Sequence, residues 1–107
     1  MATITRGTTP TLTATVRAAN LEGMDVYITI GRKGDQPWAT VGPEGVAAHY
    51  DGADTVLTAE LTQAQTLACP TGAGFVQVRA IRDGHAVASA MAPVEIAPVI
   101  YNGVLDG

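Results

Sequence analysis

The stretch FVQVRAIRDGHAVASAM, residues 75–91, constrains this chain more than any other segment. Two runs of alternating residues flank the pair Asp83-Gly84. Such a pair favours a two-residue type I′ turn, because both central positions need positive φ. With the turn there, Arg82 faces His85. Counting outward pairs Ala80 with Val87, Val78 with Ser89 and Val76 with Met91. These residues share one mostly apolar face, while Gln77, Arg79, Ala86 and Ala88 take the other. The turn and the hydrophobic alternation specify the same register independently, and a slip of one residue would turn every side chain over. The expectation is a hairpin central to the core sheet.

The remaining chain reads in the same idiom. Fourteen threonines and many valines and isoleucines fit a pleated surface. Glycines and prolines interrupt the chain every 8–12 residues or so, the spacing expected of a sandwich or barrel. Strands are expected at 2–6, 11–17, 24–31, 38–41, 46–50 and 55–61. In the second of these, Leu12, Ala14 and Val16 share a face opposite Thr11, Thr13 and Thr15, and Pro10 stands at the entry, where a missing amide hydrogen does least harm. LTQAQTL at 61–67 breaks the alternation. Thr62 followed by Gln65 has the form of a capping box, which predicts one helical turn ended by Pro70 and Gly72. The fold class expected is all-β: one domain over 1–107, an antiparallel Ig-like β-sandwich of about seven strands with one short helical turn.

Composition narrows the function classes. Only 15% of the residues are charged, the net charge is −4, and the six basic residues form no stripe. Nucleic acid is therefore not an expected partner. No apolar run approaches the ~20 residues of a membrane span. The first residues do not form a basic-then-apolar leader, so manufacture and assembly in a cytoplasm are expected. A single cysteine, Cys69, allows neither an internal disulfide nor a cysteine-based zinc cluster. Low charge also leaves neutral surface that is easily dehydrated against a partner.

The residues that carry chemistry do not assemble into a site. Ser89, the sole serine, faces Val78 in the hairpin and lacks a glycine-flanked elbow. His49 ends a strand, and His85 adjoins the Asp-Gly turn. Neither has a carboxylate-rich metal loop beside it. Cys69 has no cationic neighbour in sequence and reads as a small buried hydrophobe. Glu60 and Glu95 lie in strands without an evident carboxylate partner. The expectation is no catalytic residue, no metal ligand and no cofactor. Trp38 follows a turn. Packed, it covers the core or an edge; exposed, it would be an interface anchor or a sugar platform.

The motifs RGTTPT, LTQAQTL, VQVRA and GHAVAS, taken in this order, resemble small virion-associated proteins encoded in phages and prophages of Gram-positive bacteria. More loosely, they are similar to the N-terminal β-sandwich module of siphophage baseplate upper proteins. The resemblance spans residue 6 to about residue 91 and brings no catalytic residue with it. It implies a virion building block, made in the bacterial host cytoplasm, of the tail, baseplate, connector or capsid-decoration kind. The partners implied are further copies of the chain, other virion proteins, or both. A carbohydrate- or receptor-binding module on the particle is the alternative.

Under that implication the two chain ends become the expected contact surfaces. Residues 1–10 would be an ordered N-terminal arm, with Ile4 and Arg6 available to a neighbour. Residues 93–107 would be an apolar C-terminal extension, offering Ile96, Val99, Ile100, Tyr101 and Leu105. Trp38 joins this set as a possible anchor. The alternating faces upstream are expected to fill the subunit's own core, which directs the extension toward a partner.

Overall fold

The computed structural model describes residues 2–89 and 91–106, and the side chain of Ala2 is left aside. In chain order the elements are β1 (Ala2–Thr5), β2 (Thr11–Val16), β3 (Asp25–Gly31), β4 (Ala39–Val41), a 3-10 turn (Pro43–Gly45), β5 (Val46–Tyr50), β6 (Thr55–Glu60), α1 (Gln63–Leu67), β7 (Gly72–Arg82), β8 (His85–Ala88) and β9 (Ala92–Ala97). One sheet runs β1-β9-β7-β3-β4, with β8 also paired to β7; the other runs β2-β6-β5. The protein is an all-β sandwich. It has nine strands among the described residues rather than about seven, and the strand the sequence did not announce is β9, supplied by the C-terminal stretch. One pairing, β1 with β9, is parallel, against the fully antiparallel expectation.

Two local readings of the sequence are realised at atomic level. Asp83 and Gly84 have φ of 51° and 81°, both positive, as a type I′ turn requires. Thr62 Oγ1 accepts from the Gln65 amide at 3.1 Å, and Gln65 Oε1 accepts from the Thr62 amide at 2.8 Å, which completes the capping box at α1.

The hairpin register holds for Arg82 with His85 and Ala80 with Val87, and then slips. Val76 faces Ala92, not Met91. The register against β7 is thus shifted by one residue between Ser89 and Ala92. Its physical cause lies downstream. Without the slip, Pro93 and Glu95 would turn into the core; with it, Val94 and Ile96 do, and both are buried while Glu95 is exposed. Ser89 manages the irregularity. Its amide donates to Val78 O at 2.8 Å, and its Oγ accepts from the Val78 amide at 3.0 Å.

The core is built mainly from Ile28 and Ile30 of β3, Val76, Val78 and Ala80 of β7, Val94 and Ile96 of β9, and Leu57 and Ala59 of β6. Val41, Leu61, Leu21 and Cys69 close it at the ends. Two buried threonines tie connections to it. Thr55 Oγ1 donates to Ala19 O at 2.6 Å and accepts from the Leu21 amide at 3.0 Å. Thr66 Oγ1 accepts from the Gly7 amide at 3.0 Å and reaches Thr8 O at 2.9 Å. Arg6 donates to Leu67 O at 2.8 Å. The RGTTP and LTQAQTL motifs are thus in contact with each other, and Gly7 takes the positive φ (77°) that the kink after β1 needs.

The expectation that the N-terminal arm is offered to a neighbour is corrected by these contacts. β1 completes its own sheet, and Ile4 is a core residue, 2% exposed. Ile96 is likewise fully buried in its own subunit. Both leave the set of surface candidates.

Candidate functional site

The least complete part of the sandwich lies between β2 and the β7–β9 side of the larger sheet. Among the described residues, β2 pairs only with β6, and β8 only with β7. β1 pairs with β9 over Val94–Ala97. In the constant-type immunoglobulin arrangement, one sheet holds strands A, B, E and D and the other holds C, F and G. Here β2, β6 and β5 occupy the places of B, E and D, while β3, β7 and β9 occupy those of C, F and G. The place beside β2 that strand A would fill holds no strand among the described residues.

The consequence is an open apolar cleft of about 750 Å³. That is a volume that holds a whole small ligand elsewhere, far beyond a trapped water. Leu12, Ala14 and Val16 form one wall and stay only half-buried. Val76, Val78 and Ala80 form the floor, and Val87, Ser89, Ala92 and Pro93 the far rim. The expectation that upstream faces fill the core is therefore corrected on this side. All four residues of β8 are exposed, Val87 at 51% and, just beyond the strand, Met91 at 40%. Arg17 is the one charged residue among those lining the cleft.

The C-terminal segment beyond β9 forms the second unusual surface. It crosses the α1 end of the sandwich and is clipped there through polar atoms. Gln63 Nε2 donates to Leu105 O at 3.2 Å, and the Leu105 amide donates to Gln63 Oε1 at 2.7 Å. Arg6 donates to Asn102 Oδ1 at 2.8 Å. Val99 is half-buried against Gly7. Ile100, Tyr101, Val104 and Leu105 point away from the subunit and are exposed, Ile100 completely. Contiguous exposed apolar surface of this kind marks interaction sites in soluble proteins.

Trp38 is neither a free platform nor deep core. The Arg32 guanidinium lies over its ring, 5.1 Å from the centroid. Gly74 lies against the ring as well: a Cβ added there would sit 2.5 Å from Trp38 Cζ3, so this glycine is required by close approach. The tryptophan is half-buried and seals the edge of the sheet near β4.

The remaining chemistry-bearing residues are dispersed. Cys69 is fully buried, and burial pushes its thiol above the usual range, with Arg6 opposing in smaller measure. That is an inert environment, since reactivity belongs to the thiolate. His49 and His85 are exposed on different sheets. Asp51 Oδ1 accepts from the amides of Asp54 and Ala53, which holds its carboxyl below the usual range. Glu22 and Asp54 likewise accept backbone amides, of Tyr50 and Ala18. These carboxylates shape loops. Among the described residues no group of three metal-ligating side chains converges, and no helix is long and apolar enough to cross a membrane.

Of the eight residues read as surface candidates from the sequence, the structure brings Ile100, Tyr101 and Leu105 into one exposed patch, with Val99 beneath and Arg6 holding Asn102. The cleft residues Leu12, Val16 and Arg17 were not among them. The available signal was the composition of β2, an edge strand with no charged residue inside it. No protein-family model matches the chain, and no curated protein matches its sequence.

Proposed function

We propose that this protein is a structural component of a bacteriophage virion, of the tail, baseplate, connector or capsid-decoration kind, and that it acts through protein–protein surfaces. The observation that carries the reading is the pairing of an unfilled apolar cleft, flanked by two unpaired strand edges, with an exposed apolar segment at the opposite extremity of the chain. Natural sheet proteins blunt such edges with charges, prolines or covering elements. β2 carries none of these within Thr11–Val16. An edge left open in this way suits a subunit whose edges are covered on assembly. The resemblance of the RGTTP, LTQAQTL and VQVR motifs to phage virion proteins supports the same reading. The alternative, a sugar- or receptor-binding module, rested on an exposed Trp38; the contacts of that ring with Arg32 and Gly74 lend it no support.

Light scattering across a range of protein concentrations tests the reading. A mass that rises above that of one chain, or a stable complex with a co-expressed virion protein, is expected. A chain that stays monomeric at every concentration and binds no virion protein would overturn it.

A further inference from the structure

We infer that the cleft beside β2 is an acceptor for the C-terminal segment, residues 98–106, of a second copy of this chain, added as an extra strand along β2. The inference rests on the assembly reading above and specifies which surfaces meet.

The acceptor side offers a row of backbone groups on the outer edge of β2 and an apolar trough beneath it. Strand addition satisfies the former by main-chain hydrogen bonds and the latter by alternate side chains of the incoming strand. Among the larger apolar residues of the lining stand five alanines, Ala14, Ala19, Ala80, Ala88 and Ala92. That leaves room for large side chains.

The donor side fits in length, polarity and charge. Nine residues in extended form span roughly 30 Å, and the six of β2 roughly 20 Å, at about 3.3 Å per residue. Val99, Tyr101 and Leu105 fall on one face of an extended segment, with Gly103 between them, and Ile100, Asn102 and Val104 fall on the other. The first face supplies the apolar side chains that the trough lacks. Each partner carries one charge: Arg17 in the cleft and Asp106 in residues 98–106. Running parallel to β2, the segment brings Asp106 to the Arg17 end.

A segment bound in its own subunit is disfavoured by the clips at Gln63 and Asn102, which hold it across α1. Donation releases those exposed hydrogen bonds and exchanges them for the ladder of a neighbour. Donor and acceptor are different surfaces, so the contact is head-to-tail. Repetition closes a ring if the rotation allows, and otherwise builds a filament.

The test uses the full-length chain with substitutions at exposed positions. Tyr101→Asp places a charge where the donated strand enters the trough. It is expected to return the protein to a single-chain mass while the subunit stays folded, with a far-UV circular dichroism spectrum like that of the wild type. Arg17→Glu should weaken association about two- to fivefold, the range of an exposed ion pair, and Arg17→Glu combined with Asp106→Arg should restore it. For position, one batch carries Thr15→Cys and another Val104→Cys, both on the outward faces of adjacent strands. Mixed under oxidising conditions, they should give a disulfide-linked dimer containing one chain of each. An oligomer that ignores Tyr101→Asp, with no mixed dimer, would overturn the tail as donor and leave the assembly reading standing. A chain bearing both cysteines that cross-links within one monomer would show that the segment closes its own sandwich, which also overturns the inference. A wild-type chain that never self-associates would remove it at the level of assembly itself.

Discussion

β8 and β9 lie along the same flank of β7, and their fates differ. β9 places Val94 and Ile96 fully inside, whereas every residue of β8 is exposed. Both strands alternate, and both pair with β7. What separates them is coverage: β1 lies outside β9, and nothing among the described residues lies outside β8. Alternation states which residues share a face; the strands beside and across from that face decide whether it is a core. The one-residue shift of register after Ser89 falls where one regime passes into the other.

The sharpest way to break this comparison is a charge at equivalent positions of the two regimes. Val78→Asp on the floor beneath both strands should unfold the protein. An unpaired buried charge costs several kcal/mol, comparable with a typical total stability of ~5–15 kcal/mol. Val87→Asp, on exposed β8, should leave the thermal midpoint nearly in place. A folded Val78→Asp protein with an unchanged midpoint would mean that the inward face is assigned wrongly.

A gentler version deletes side-chain volume. Ile96→Ala should cost about 2–5 kcal/mol in denaturant unfolding, as buried truncations do. Ile100→Ala, four residues later on the exposed segment, should fall within about 0.5 kcal/mol of wild type for the isolated subunit. Equal losses at the two positions would show that the segment beyond β9 is as much part of the subunit core as β9 itself.

The α1 end allows a third comparison, between a buried polar clip and an exposed one. Thr66→Val strands the Gly7 amide and the Thr8 carbonyl, and should cost about 1–3 kcal/mol. Gln63→Ala, which removes the clip on Leu105, should change stability little and instead raise amide exchange along the segment.

The smallest effect concerns pH. The carboxyl of Asp51 is held below its usual value by the amides of Asp54 and Ala53. A depressed folded value adds stability above the unfolded value of 3.8 and loses it as pH falls through the lower, folded value. Asp51→Asn should therefore flatten the acid limb of a stability–pH profile by slightly lowering the neutral plateau, while stability at the acid extreme stays the same. An unchanged acid limb would remove Asp51 from that transition.

Much of the architecture was legible in the residues because it depends on local chemistry. The Asp83-Gly84 turn, the Thr62–Gln65 box and the alternation of β2, β3 and β6 each require only near neighbours in sequence. The shift of register was not legible, because nothing between Ser89 and Ala92 demands it; the demand comes from placing Val94 and Ile96 inward and Glu95 outward. The destination of the ends was also hidden. Ile4 and Ile96 are as apolar as Ile100, and the sequence of the C-terminal segment reads as one continuous sticky stretch. The parallel pairing of β1 with β9 takes the first two inside and leaves the third in solvent.

By itself, then, the sequence determined the material: short β-branched strands, tight turns, one capped helical turn and few charges. Those follow from backbone preferences and side-chain polarity, which act over a few residues. Tertiary structure alone decided where the sandwich is closed and where it is open. The cleft beside β2 is open because β1 pairs with β9 in the other sheet and, among the described residues, no strand lies along the free edge of β2, a property of topology written in no single residue.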